Sequence, residues 1–281
     1  MKLWLFHPDD TRLGATLRRG RGDQWVVIGG ATGVPQGYYG ALAQWLCDVS
    51  GVNVLTFDYR GMGASRRGAL KGFQAHYRDW ASDLAEAIGY AADRGPTVVV
   101  GHSFGGHAFG MTDAHARTRG LYTFGTGAGW HGYMKRREGL KVQFMWNVLM
   151  PTLVAWRGYL PAKLVGLGED LPLGVYQDWK RWCSSPHYFF DDPEAEFTGR
   201  FAEVTVPVVG VNSMDDPWAN PASAAAFLSH YPNVTMNTVK PSDIRVSSIG
   251  HMAYVRPSCK PLWHELGDWI EERLTTDSAL Q

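Results

Sequence analysis

Short, almost wholly apolar runs alternate along this chain with stretches whose apolar residues recur every three or four positions. Runs within 24–30, 52–57, 97–100, 121–124, 206–211 and 234–239 have the length and β-branched content of buried strands. Helices are predicted over 38–48, where Tyr39, Leu42, Trp45 and Leu46 share a face, and over 73–92, where Trp80, Leu84, Ala87, Ile88 and Ala91 do. Two more are predicted over 222–228 and 262–270. Residues 2–19 read as a strand or hairpin turning at Asp9-Asp10. Continuous apolar strands separated by helices call for a mostly parallel sheet with helices on both faces, an α/β fold.

From Trp130 to about Phe201 the alternation stops. That segment is rich in aromatics and proline, and reads as helices joined by irregular turns. Its run Val142-Gln143-Phe144-Met145-Trp146-Asn147-Val148-Leu149-Met150 is apolar on most faces, and Pro151 is expected to break or kink it. It packs between cap and core or lines an acyl pocket; the two uses are compatible. An insertion here would overhang the carboxyl ends of the strands, where open α/β sheets bind ligands. The expected organisation is a core of residues 1–129 and 202–281 with a helical cap of 130–201.

Composition narrows the class. With 45% apolar and 19% charged residues the chain is globular rather than disordered. Lys plus Arg equals Asp plus Glu at 27 each, so no net field draws it to nucleic acid or an anionic membrane, and a neutral small-molecule substrate is favoured. Cys47, Cys183 and Cys259 form no C-x-x-C pair and fit a reducing compartment, so a cytoplasmic location is expected. The first apolar run is too short for a signal peptide, and no stretch reaches the roughly 18 to 20 apolar residues of a membrane span.

Chemistry enters at Gly101-His102-Ser103-Phe104-Gly105, a G-x-S-x-G placed after a strand and before a helix pattern. So tight a turn strains the serine backbone, and side chains two residues to either side would collide. Ser103 is the candidate nucleophile. A base must come from elsewhere. His131 and His187 fall in the cap, and His230 closes a helix, where it suits the dipole. His251, in Ser248-Ile249-Gly250-His251-Met252, lies between the last strand and last helix and is the candidate base. The orienting carboxylate comes from Asp215-Asp216-Pro217, after the strand at 206–211. Asp191-Asp192-Pro193, in the cap, reads as a helix cap. Gly29-Gly30-Ala31-Thr32-Gly33 follows the first internal strand, so the amides of Ala31 and Phe104 are the candidate oxyanion donors, with Thr32 the near alternative.

Other motifs fail on context. Gly127-Ala128-Gly129-Trp130-His131-Gly132 matches G-x-G-x-x-G, but no acidic residue lies near 20 positions on to hold a ribose. No phosphate-loop lysine motif and no H-E-x-x-H occur, so neither cofactor nor metal is implied. Lys135-Arg136-Arg137 reads as a solvated cap face, with an anionic substrate group as the alternative.

Together these residues resemble the α/β-hydrolase superfamily over nearly the whole chain. Asp58-Tyr59-Arg60-Gly61-Met62-Gly63-Ala64-Ser65 looks like its D-x-R-G-x-G-x-S turn. Ala31-Thr32-Gly33-Val34-Pro35-Gln36, Ile249-Gly250-His251-Met252, Leu167-Gly168-Glu169-Asp170-Leu171-Pro172 and Trp179-Lys180-Arg181-Trp182-Cys183 are similar to a bacterial group of predicted α/β hydrolases. That group is related to serine aminopeptidase-like and monoacylglycerol lipase-like enzymes. The resemblance favours Asp216 over Asp215 as the acid and implies a Ser-His-Asp hydrolase of carboxylic esters, thioesters or small amides with a hydrophobic portion. One departure is Gly29-Gly30, where His-Gly is common. An acyltransferase using the same triad is one alternative. A non-catalytic ligand-binding relative is the other, and its cue would be a damaged triad.

Overall fold

The computed structural model describes residues 1–275. Its eight strands are β1 (Lys2–Phe6), β2 (Arg12–Arg18), β3 (Trp25–Gly29), β4 (Asn53–Phe57), β5 (Thr97–His102), β6 (Leu121–Phe124), β7 (Val208–Ser213) and β8 (Val234–Val239). They form one sheet in the order β1-β2-β4-β3-β5-β6-β7-β8. The β1–β2 hairpin, turning at Asp10 with φ 64°, adds antiparallel to β4, and every later pairing is parallel. The chain thus folds as the α/β-hydrolase resemblance implied.

Strand alternation builds two cores. Val26, Ile28, Val98 and Val100 face one way, onto α1 (Gly40–Val49) and α8 (Lys260–Thr275). Val27 and Val99 face the other, onto α2 (Tyr77–Ala92), α3 (Phe104–Gly110) and α7 (Pro221–Leu228). β8 is an edge strand, bonded among the described residues only to β7, and its residues are mostly exposed.

α2 begins four residues later than its apolar stripe suggested. His76 N–H donates to Asp79 Oδ2 at 2.7 Å in a capping box, and Tyr77 N–H donates to Asp178 Oδ2 at 3.0 Å. The Asp178 carboxylate comes from a distant helix, so periodicity could not locate this start.

The segment between β6 and β7 carries α4 (Arg136–Phe144), α5 (Met150–Arg157) and α6 (Leu173–Trp182). Pro151 does not break the first of these. A π turn, Met145–Leu149, joins α4 to α5, with Met150 N–H reaching back five residues to Met145 O. The widened turn accommodates a residue that can neither donate to its own preceding turn nor fit its ring there. Thr152 Oγ1 meets the nearby carbonyl of Val148 at 2.7 Å. Asp191 and Asp192 cap no α-helix. Asp191 accepts from His187 N–H, and Asp192 accepts from Trp182 Nε1 at 2.7 Å, pinning turns of this segment together. Its Trp182 and Phe189 share one apolar cluster with Leu84 and Phe104 of the sheet layer.

Candidate active site

Between β5 and α3 the chain reverses at Ser103, which holds φ 51° and ψ −108°. Such a conformation costs a residue with a side chain about 1 to 3 kcal/mol. Its neighbours enforce it. A Cβ at Gly101 would lie 2.7 Å from Gly106 N, and one at Gly105 would strike the Gly29 carbonyl, so α3 can approach the sheet only with glycine there. Ser103 N–H donates to Phe124 O, and Thr126 Oγ1 donates to Ser103 O, each at 2.9 Å. The turn leaves Ser103 Oγ 3.0 Å from His251 Nε2.

His251 Nδ1 lies 2.9 Å from Asp216 Oδ2. Asp216 is buried. Burial pushes its carboxyl up, but the adjacent His251 and amide donors from Ala219 and Trp218 outweigh that and hold it below the usual range. Tyr254 Oη also donates to Asp216 Oδ2, at 3.1 Å. Asp215 turns away from the imidazole. It accepts from Ser248 Oγ at 2.7 Å, Gly250 N at 3.0 Å and Ile249 N at 3.1 Å, so it pins the loop that carries His251. The two adjacent aspartates thus touch different parts of one loop.

A second chain of hydrogen bonds runs behind the serine, through His102 and Tyr39, to which sequence reasoning gave no part in the site. His102 Nε2 lies 2.8 Å from the carbonyl of His251 and must donate to it. His102 Nδ1 is therefore an acceptor, and Tyr39 Oη donates to it at 2.9 Å. Tyr39 Oη in turn accepts the Ala31 N–H at 2.7 Å. Burial, then the neighbouring His251, pull the His102 imidazole down to about 4, which keeps it neutral in this relay. The only sequence cue was a histidine inside G-x-S-x-G.

This relay corrects one expectation. The Ala31 amide is committed inward to Tyr39 and is not free to meet an oxyanion. The amides of Phe104, next to the serine in the chain, and of Thr32, which lines the same cavity as Ser103, have no hydrogen-bond partner among the described residues. The loop that carries Thr32 is held by Asp58, which accepts from Gln36 N–H at 2.7 Å and Gln36 Nε2 at 2.9 Å. Asp58 Oδ2 also receives Ala64 N–H at 2.8 Å, so the Asp58–Ser65 turn acts as a clasp on that loop.

A cavity of about 430 Å³ opens beside Ser103 and His251. Leu167, Trp179, Tyr188 and Trp218 supply apolar wall, the first three from the segment between β6 and β7. Glu169 N–H donates to Gly33 O at 2.7 Å, tying that segment to the loop of Thr32. Gly127 and Gly129, from the unused glycine motif, also line the cavity, and His107 Nε2 donates to Gly127 O at 2.9 Å. Among the described residues no three His, Cys, Asp or Glu side chains converge as a metal site, and no helix is long and apolar enough to cross a membrane.

No curated protein matches the sequence. Among solved structures, mouse alpha/beta hydrolase domain-containing protein 10 is 18% identical with a TM-score of 0.62, over 97% of this chain and 99% of that one. A thermophilic esterase from Thermogutta terrifontis is 16% identical with a TM-score of 0.60, over 98% and 100%. A monoacylglycerol lipase from Paleococcus ferrophilus is 14% identical with a TM-score of 0.61, over 93% and 99%. At these identities the likeness is one of fold. The family signature described as "Alpha/beta hydrolase family" matches residues 25–257, and with that match over most of its length the chain belongs to the α/β-hydrolase family.

Proposed function

We propose that this protein is a serine hydrolase that cleaves a carboxylic ester through an acyl-enzyme intermediate. The observation that carries this reading is the line Ser103 Oγ, His251 Nε2, His251 Nδ1, Asp216 Oδ2, with gaps of 3.0 and 2.9 Å. A serine hydroxyl is a weak nucleophile near neutral pH, so His251 removes its proton as Ser103 attacks the ester carbonyl. Asp216 holds the ring in the tautomer with hydrogen on Nδ1 and stabilises the imidazolium. The Thr32 and Phe104 amides receive the oxyanion, each worth roughly 3 to 4 kcal/mol in the transition state. His251 then protonates the departing alcohol, and later activates the water that frees the acid.

Residues 130–201 act as a cap whose Leu167, Trp179 and Tyr188 receive an apolar part of the substrate. The test is labelling by a fluorophosphonate and turnover of p-nitrophenyl esters of rising chain length, on wild type and Ser103→Ala. The reading expects wild type to be labelled and active and the variant to be neither. Labelling that survives the substitution would reject Ser103.

A further inference from the structure

Away from the cavity, α4, the π turn and α5 form one continuous helix with two apolar sides. Its inner side buries Val142, Trp146 and Met150. Its outer side exposes Leu140, Phe144, Val148 and Trp156 at 59%, 59%, 49% and 66% of their surface. These four fall on a spacing of four, with only Thr152 intervening. In an unbroken α-helix each such step overshoots by about 40°, which would carry Trp156 about 160° from Leu140. The extra residue held in the π turn takes back about 100° of that drift. The π turn therefore keeps the exposed apolar residues on one side.

The charge here departs from the chain's balance. Residues 135–163 carry six cations, Lys135, Arg136, Arg137, Lys141, Arg157 and Lys163, against one carboxylate, Glu138. Glu138 pairs with Lys141, and Glu169 pairs with Lys163. The other four cations have no carboxylate partner among the described residues. Arg157 stacks over Trp156, 3.9 Å from the ring centroid.

We propose that this helix docks flat on an anionic phospholipid surface, with its apolar side at the headgroup–acyl boundary and its cations on lipid phosphates. An exposed apolar stripe bordered by Lys and Arg, with a Trp near one end, is the chemistry of an interfacial helix. A second copy of this chain suits the face less well, because symmetric pairing would set its unpaired cations against their own counterparts. The inner side reaches the cavity wall: Trp146 packs edge-on against Trp179 at 4.9 Å, and Trp179 lines the cavity. If the hydrolase reading holds, on which this last step rests, the substrate class is an ester of a bilayer-borne acyl chain.

The experiment is sedimentation with sucrose-loaded vesicles, either pure phosphatidylcholine or an equal mixture with phosphatidylglycerol, at about 0.05 and 0.5 M salt. Wild type should sediment with the anionic vesicles at low salt, and neither with the neutral ones nor at high salt. Phe144→Asp/Trp156→Asp and Lys135→Ala/Arg136→Ala/Arg137→Ala should each weaken that binding by about tenfold or more. Unchanged thermal melts would show that both variants stay folded. Failure of wild type to bind anionic vesicles, or equal binding by folded variants, overturns the proposal. So does a wild-type dimer that Phe144→Asp dissociates in the ultracentrifuge, which would give the face to a second copy. Vesicle binding without turnover of any ester would sink the hydrolase reading and leave the docking intact; soluble-ester turnover without vesicle binding would do the reverse.

Discussion

At the scale of single residues, the adjacent pair Asp215-Asp216 separates orientation from anchorage. Asp216→Asn should lower kcat by roughly 10⁴-fold, because the imidazole loses its tautomer control. Asp215→Ala should act through the 248–250 loop instead, costing about 1 kcal/mol of stability as these largely solvent-facing donors lose their acceptor. Steady-state kinetics and urea melts on both variants separate the two effects. Tyr39→Phe tests the relay behind Ser103: the ring stays, but Ala31 N–H and His102 Nδ1 both lose their partner. A fall in kcat of about tenfold with little change in KM is expected. Ser103, His251 and the pair Asp215-Asp216 could be picked out from a turn motif and the chain order of elements, whereas the choice of Asp216 within that pair came from the family resemblance. The direction of the Ala31 amide was not, since it depends on Tyr39 and on His102, 63 positions further along the chain from that tyrosine.

At the scale of elements, the reversal at Ser103 between β5 and α3 depends on absent side chains. Gly105→Ala drives a methyl group into the Gly29 backbone, which cannot yield without parting α3 from β3. About 3 kcal/mol of destabilisation is expected. Gly37→Ala, where an added Cβ meets nothing within 4 Å, should leave the melt nearly unchanged. Strands and main helices were legible from periodicity, since burial against one sheet dictates which positions are apolar. Helix limits set by distant partners were not, as with Asp178 at the start of α2. Pro151 did mark an interruption of the α-helix, but its form, a π turn over Met145–Leu149 that relieves the clash while the helix runs on, is not written in the periodicity.

At the scale of the molecule, buried imidazoles tie stability to pH. Burial pulls His107 down to about 3, as burial and His251 pull His102 down to about 4, while both would titrate near 6.5 in the unfolded chain. Between pH 6.5 and 4 the unfolded state binds more protons, so stability falls as pH falls, by about 1.4 kcal/mol per pH unit for each group. The depressed Asp216 adds its own loss only below the ordinary carboxylate range. Burial raises the Asp83 carboxyl to about 6, which works in the opposite sense below that pH and offsets about one of the two imidazoles. Urea midpoints should therefore still drop across the window, and a rising profile would contradict the burial. The hydrolase reading stands or falls on a covalent intermediate at Ser103. Its most direct measurement is peptide mapping by mass spectrometry after acid quench of the enzyme with p-nitrophenyl butyrate. A butyryl group is expected on Ser103 and none in Ser103→Ala; ester turnover with no adduct on Ser103 and an undiminished rate in that variant would overturn the assignment.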